Sequence, residues 1–210
     1  MVSDELIRRY PVVYHMAESG SWGSIQKHGL LSTTALLDLF EITGSERYRI
    51  ESQWRKECIT ITHPVYGKVV IRDQKPMPDK DLSNYLVGMT PREWYEFINH
   101  KTFFWVDTTR LTWMLKAPAY KDRAHWIIIV PTRHLVAHHR ERITLSGQNS
   151  GSILDGKQRG KHTFQPINEF SMRWVAELAV EYSVPDIADL AVLVEEWKRD
   201  RKLNVIWKRG

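Results

Sequence analysis

Cysteine is almost missing from this chain: Cys58 is the only one in 210 residues. An intrachain disulfide and a cysteine-rich zinc site are thereby excluded. No apolar run approaches the length that crosses a bilayer, and Met1 to Pro11 carries no apolar stretch flanked by basic residues that would read as a leader. A cytoplasmic protein without a membrane partner is the expectation. Three glycine motifs are also lacking: the complete phosphate-cradling Gly-x-x-x-x-Gly-Lys-Ser/Thr, the dinucleotide turn Gly-x-Gly-x-x-Gly and the nucleophile elbow Gly-x-Ser-x-Gly. Kinase, Rossmann and hydrolase readings fall with them. His134 and His138 lie four apart, a spacing that suits a metal on a helix, but no Glu follows His134 and no third ligand stands out. The segment reads as a basic surface stretch, and no metal is expected.

What is present suits one globular domain. Hydrophobic residues make up 42% of the chain, enough for a sizeable core. Residues 1–210 read as a single domain with a hairpin and helix insertion at about 45–100. The formal charge of +5 and a pI near 9.3 favour an anionic partner, either nucleic acid or a phosphate-rich cofactor. The basic residues are dispersed, apart from a cluster at Lys198 to Lys202 and another at Trp207 to Arg209. Nine tryptophans are many for this length, and rings interleaved with Arg and Lys suit stacking of bases or nicotinamide as well as core packing.

The opening pattern is Val12-Val13-Tyr14-His15, then Ser21-Trp22-Gly23-Ser24-Ile25, then Gly29-Leu30. It predicts a strand that carries a histidine, a short helix capped by Ser21, and a left-handed stop at Gly29. Short helices are predicted over Thr33 to Phe40 and Ser45 to Arg55. Strands at Glu57 to Thr62 and Lys68 to Arg72 flank a turn. Thr90-Pro91-Arg92-Glu93 combines a hydroxyl cap, a first-turn proline and a capping-box glutamate, and opens a helix to about Asn99. Lys101 to Asp107 reads as an aromatic strand followed by a helix at Thr109 to Lys116, and His125 to Val130 as a strand buried on both faces. Ser146 to His162 is polar and glycine-rich, a long surface loop. Two strands, Arg173 to Tyr182 and Asp186 to Val194, close the chain around Ser183-Val184-Pro185.

The string Tyr14-His15, Ser24-Ile25, Gly29-Leu30 resembles the first signature of the ADP-ribosyltransferase superfamily, which includes poly(ADP-ribose) polymerases, tRNA 2'-phosphotransferases and the DarT enzymes that modify DNA. In that superfamily the strand-borne His grips the ribose of NAD. Phe103-Phe104-Trp105-Val106-Asp107 and its following helix resemble the central strand and helix that supply a nicotinamide-stacking ring. Trp174-Val175-Ala176-Glu177-Leu178 through Val184-Pro185 resembles the DarT stretch that carries the catalytic Glu. Together these segments run from about Tyr14 to Ile187.

The resemblance implies an α+β fold of two packed, mostly antiparallel sheets, the split β-sandwich of the superfamily, with peripheral short helices and NAD between the sheets. It implies a NAD-dependent mono-ADP-ribosyltransferase with Glu177 as catalytic acid and Arg110 beside it, and with His15, Tyr14, Phe104 and Trp105 holding the cofactor. Glu169, in Ile167-Asn168-Glu169-Phe170, is the competing catalytic candidate. Asn149, Arg159 and His162 are candidates for substrate contact, since glycines there permit close approach and Arg159 and His162 suit a phosphate. The DarT-like branch and the basic charge point to a nucleic acid acceptor, a DNA base, and to an antitoxin or ADP-ribose hydrolase as partner. The chemistry suits the residue types: a carboxylate offsets charge on an oxocarbenium-like ribose, imidazole bonds hydroxyls, and guanidinium neutralises pyrophosphate. Two readings stay open beside it, an RNA 2'-phosphotransferase-like enzyme and a silent module of the same fold that binds nucleotide without turnover.

Overall fold

The computed structural model describes residues 3–171 and 173–210; Met1 and Val2, the start of the stretch read for a leader, lie outside them. In chain order the elements are α1 Ser3–Arg9, β1 Val12–Glu18, α2 Trp22–His28, β2 Leu30–Leu31, α3 Thr33–Leu39, α4 Gly44–Glu51, β3 Ile59–His63 and β4 Gly67–Ile71. Next come α5 Asp79–Leu82, α6 Pro91–Asn99, β5 Lys101–Trp105, α7 Thr108–Leu115, β6 His125–Pro131, α8 Thr132–His139 and β7 Ile143–Ser146. The chain ends with β8 Gln165–Pro166, β9 Glu177–Glu181, β10 Ser183–Val184, α9 Ile187–Leu190, β11 Leu193–Lys198 and β12 Arg201–Lys208. The fold is α+β, and no helix among the described residues is long and apolar enough to cross a membrane.

Eight strands form one antiparallel sheet in the order β12-β11-β6-β1-β5-β9-β7-β8, where two packed sheets were expected. The sheet is continuous only through a thin join. β1 pairs with β6 along its whole length from Val12 to Glu18, and β5 pairs with β9 from Lys101 to Trp105, but β1 meets β5 at Tyr14 and Trp105 alone. Two four-stranded halves therefore share a seam one residue pair wide. Two short ladders, β2 with β10 and β3 with β4, stand apart from the sheet.

Strand alternation sorts the core into two layers. Val13, Phe104, Ile128, Leu178 and Val180 pack with Leu6, Trp22, Leu135 and Ile187, so α1, α2, α8 and α9 cover that face. On the other face Tyr14, Met16, Trp105, Ile127 and Ile129 meet Leu111 and Leu115 of α7 and Tyr120, while Phe103 and Ala179 meet Trp94, Tyr95 and Ile98 of α6. The capping box of α6 is present: Glu93 N donates to Thr90 Oγ1 at 3.3 Å and Thr90 N to Glu93 Oε2 at 2.7 Å. Such a cap contributes roughly 1 kcal/mol. Part of the segment at about 45–100 packs onto α3 in a separate cluster, Leu37, Phe40, Ile50, Ile61 and Ile71, made from α3, α4 and the β3–β4 hairpin.

Several expectations are corrected. The end of the chain is not a strand from Asp186 to Val194. Ile187, Leu190 and Ala191 are buried at helical spacing, so α9 forms there, and the strand begins at Leu193. The basic cluster at Lys198 to Lys202 is the turn of a hairpin, β11–β12, with Arg199 in the left-handed region at φ 57°. The strand expected from Arg173 starts only at Glu177. Residues 132–139, read as a surface stretch, form α8 with Leu135 and Val136 buried. Ser21 precedes α2, but its hydroxyl donates back to Glu18 O at 2.7 Å and caps nothing. Gly29 does close α2 with φ 83°, and a Cβ there would lie 2.7 Å from Pro185 Cα, so both backbone conformation and space require glycine.

Candidate functional site

The seam organises the chemistry. One row of paired residues runs Leu193, Ile129, Tyr14, Trp105, Glu177, Ser146 across six strands, and opposite residues in antiparallel pairs share a face. Tyr14, Trp105 and Glu177 thus stand side by side, with the seam between the first two. Tyr14 and Trp105 are half-buried, whereas Glu177 is 4% exposed.

Glu177 opens β9, and its Oε2 accepts a hydrogen bond from Ser150 N at 3.0 Å. Burial pushes its carboxyl up to about 7; hydrogen bonds from Ser150, and then the charges of Arg110 and Arg159, work against that rise. A carboxyl placed so exchanges its proton near neutrality, which suits a general base. Arg110 reaches this region from the first turn of α7. Asp107 caps that helix, its Oδ1 accepting from Arg110 N at 2.8 Å, and its Oδ2 lies 3.4 Å from Arg110 Nε. That Nε is buried and has no hydrogen-bond partner, and the charge of Arg110 reaches the buried Glu177. The Tyr14 phenol is held above its ordinary range, first by burial and then by the charges of Asp107 and Glu195.

His15 lies on the opposite face. Alternation from Tyr14 sets it with Val13 and Ala17, and its ring meets the edge of Phe104 at 5.8 Å between centroids. Where the β1–β5 ladder stops, the His15 side chain spans the gap, with Nδ1 2.8 Å from Phe103 O. A carbonyl only accepts, so Nδ1 carries the proton and Nε2 is left as an acceptor, without a hydrogen-bond partner among the described residues. Burial, above the effect of the Phe103 carbonyl and helped by the Arg72 charge, pushes His15 down to about 4, so the ring is neutral at physiological pH.

The structure brings together Tyr14, Trp105, Glu177 and Arg110, and sets His15 and Phe104 behind them. Phe104 is 1% exposed in the core, so it has no free face for a nicotinamide; Trp105 is part-buried against the cluster under α7. Glu169 is exposed in the turn after β8, where its N–H donates to Pro166 O. His162 is exposed in the short 3-10 turn after Gly160. Asn149 turns inward on its own loop, its Oδ1 accepting from Gly151 N at 2.9 Å.

Arg159 has a role that the sequence did not disclose. Its side chain is fully buried, and the guanidinium donates to Lys157 O at 2.5 Å, Asn149 O at 3.0 Å, Asp155 Oδ1 at 2.7 Å and Ser152 O. Its backbone is stitched to residues 85–87 through Arg159 N to Tyr85 O at 2.7 Å and Val87 N to Arg159 O at 2.8 Å. Gly160 lets this happen, since a Cβ would lie 2.6 Å from Val87 O. The surface loop expected at Ser146 to His162 is therefore a pinned lid whose Ser150 is 2% exposed and holds Glu177. Asp155 four residues before Arg159 was the one available sign of this fastening. Ser150 and Asp107 also escaped notice, the first as one residue of a polar loop and the second as the end of a strand.

Among the described residues no group of three or more His, Cys, Asp or Glu side chains gathers as a metal site would require. A family model described as a family of unknown function (DUF7002) matches residues 11–191. No curated protein matches.

Proposed function

For this chain, which belongs to that family of unknown function, we propose an NAD-dependent mono-ADP-ribosyltransferase of the DarT-like kind, built on the superfamily's split sheet. The observation that carries the reading is the seam: two antiparallel halves joined at Tyr14 and Trp105 only, with a buried Glu in register beside them. In the superfamily that the sequence resembles NAD lies between the two sheets, and the seam is the corresponding place in this chain. NAD supplies an electrophilic ribose carbon and a nicotinamide leaving group that departs with the bonding electron pair.

The residues divide the work. Trp105 offers a half-exposed ring face for nicotinamide, and Tyr14 borders it. Glu177, ionised above about pH 7, offsets positive charge that develops on the ribose and takes the proton of the incoming nucleophile as that atom bonds to the ribose carbon. Arg110, whose buried Nε makes no hydrogen bond and is held only by the Asp107 charge, supports a phosphate oxygen or the leaving carbonyl. His15 Nε2 accepts from a ribose hydroxyl at the open side of the seam. Phe104 is withdrawn from the cofactor set, and Arg159 is reassigned to holding the lid.

The test is nicotinamide release from NAD by the purified protein, with and without nucleic acid or protein acceptors, beside Glu177→Gln. Release that vanishes in the variant, with its melting transition intact, supports the reading. No release under any condition, and no thermal stabilisation by NAD, sinks it.

A second reading has its own observation. His15 and Glu177 leave the sheet on opposite faces, and a module that binds a nucleotide without turnover needs only one of them. Under that reading NAD or another nucleotide raises the melting temperature and Glu177→Gln leaves the gain unchanged.

A further inference from the structure

Helix α8 carries three histidines, and the fold does not use them alike. His139 is buried and both of its ring nitrogens are taken: Nε2 donates to Asp186 Oδ1 at 2.5 Å, and Nδ1 accepts from Arg142 Nη2 at 2.6 Å. That ring fastens α8 to the start of α9 and has nothing left to offer. His134 and His138 each spend one nitrogen only. His134 Nδ1 lies 3.1 Å from Leu190 O, and His138 Nδ1 lies 2.8 Å from Asp186 Oδ2. A carbonyl and a carboxylate only accept, so both Nδ1 atoms carry the proton and both Nε2 atoms are bare acceptors. Neither Nε2 has a hydrogen-bond partner among the described residues.

Residues four apart on a helix stand on one side of it, with Cβ atoms about 5–6 Å apart. Their anchors run the opposite way along α9: His134 is tied to Leu190 at its end and His138 to Asp186 at its start. The two rings are therefore docked in the same manner against one neighbour, and their free nitrogens turn away from it. An imidazole that binds a metal ion through Nε2 gives its Nδ1–H to a carboxylate or a backbone carbonyl, which fixes the tautomer and makes the other nitrogen more basic. Here one ring has the carboxylate and the other the carbonyl. The His138 side chain is 52% exposed and His134 is half-buried, so an ion can reach the pair from solvent. Arg133 and Arg140 oppose a cation on the same segment, but both are exposed, where solvent and salt screen them.

We propose that His134 and His138 form a binding site for a divalent late first-row metal ion of the Zn²⁺ kind, held by the two Nε2 atoms. A site that keeps its metal permanently takes three or four protein ligands. No third His, Cys, Asp or Glu gathers with this pair among the described residues, so the ion keeps its other positions for water or for a ligand from outside the chain. Such an open site exchanges its ion. Imidazole nitrogens select Zn²⁺, Ni²⁺ and Cu²⁺ over Ca²⁺ and Mg²⁺, which take oxygen ligands. Fastening α9 needs the Nδ1–H donors alone, and the ring of His139, which has only that duty, spends its second nitrogen inside the protein. The pair shares no residue with the seam, and the proposal is independent of the transferase reading.

The experiment is calorimetric titration of the intact, chelator-treated protein with ZnCl₂, beside CaCl₂ and MgCl₂. Zn²⁺ is expected to bind and to raise the melting temperature, and Ca²⁺ and Mg²⁺ to do neither. His138→Ala, a change at an exposed position, should weaken Zn²⁺ binding about tenfold or more. His134→Gln should do the same while its amide still donates to Leu190 O. Cu²⁺ offered in place of Zn²⁺ should give an electron paramagnetic resonance spectrum with two imidazole nitrogens on the ion, and either substitution should reduce them to one. Zn²⁺ binding untouched by His138→Ala with the melting transition intact, Ca²⁺ held as tightly as Zn²⁺, or a wild-type Cu²⁺ spectrum with a single imidazole nitrogen would each overturn the proposal.

Discussion

Two ionisable groups flank the seam, one on each face, and burial drives both toward neutrality from opposite directions. His15 is pushed down to about 4 and Glu177 up to about 7. Their partners differ in kind. His15 has one backbone carbonyl and keeps a free acceptor. Glu177 has the Ser150 N–H and two arginine charges, which leave it titrating where cells live. The difference teaches which group serves which purpose: a ring that never charges is a hydrogen-bonding hand, and a carboxyl poised near 7 is a proton acceptor. Burial, helped by the Arg72 charge, produces the first; burial opposed by a built set of donors produces the second.

The largest expected effect separates these roles. Glu177→Gln keeps the shape but cannot take a proton, and should lower nicotinamide release by roughly a hundred- to ten-thousandfold at saturating NAD. His15→Asn should act mainly on KM for NAD, since it removes an acceptor and no proton-transfer group. The wild-type rate should climb with pH through about 7 as Glu177 ionises, and flatten above. Equal losses of kcat from both substitutions would erase the distinction.

Stability offers the next contrast, and it runs in opposite senses. A carboxyl whose folded pKa is raised stabilises most below its unfolded pKa, and that contribution is lost as pH rises through about 7. For Glu177 the span is about 3 kcal/mol. Glu177→Gln should therefore raise the melting temperature by several degrees at pH 8 and by little at pH 5. His15 behaves in reverse. Its folded pKa is lowered, so its contribution is complete above about 6.5 and is lost as pH falls through about 4. The span is roughly 2 kcal/mol once the partial exposure of the ring is allowed for. His15→Gln should narrow its gap from the wild type as pH drops from 7.5 to 4.5, measured by thermal unfolding. Parallel pH curves for wild type and variant would break either half of the comparison.

How much of this was legible in the sequence follows from the range of the interactions. Gly29, the Thr90 capping box, the β3–β4 hairpin and the apolar run of β6 depend on neighbours within a few residues, and the sequence displays them. The alternation that sets Glu177 with Ala179 and against Leu178 was also readable, because period two needs no partner strand. The seam was not. It is a register between β1 and β5, which lie some ninety residues apart in numbering, and no local pattern states where a ladder ends. The same limit hid the opposition of faces, since His15 and Glu177 belong to different halves. Arg159 misled for a related reason: a guanidinium in a glycine-rich loop reads as a hand for phosphate, yet four acceptors of the loop itself converge on it. Helix α9 was lost between two competing periods, as Ile187, Leu190 and Ala191 fit a helix only once Val192 is known to lie beyond it.

The smallest effect is also the sharpest probe of how Glu177 is tuned. Ser150 opposes burial twice, through its backbone N–H at 3.0 Å and through its side chain. Ser150→Ala keeps the first and removes the second, so the carboxyl should titrate higher and the rising limb of the rate against pH should move to more alkaline values. The plateau should stay near the wild-type rate, because the base itself is intact and the lid remains pinned by Arg159. His15 shares no partner with Ser150, and the acid limb of the stability curve should not move. A plateau that falls while the midpoint stays would mean that Ser150 positions the carboxylate without tuning it, and the contrast between a group set by burial and a group set against burial would lose its ground.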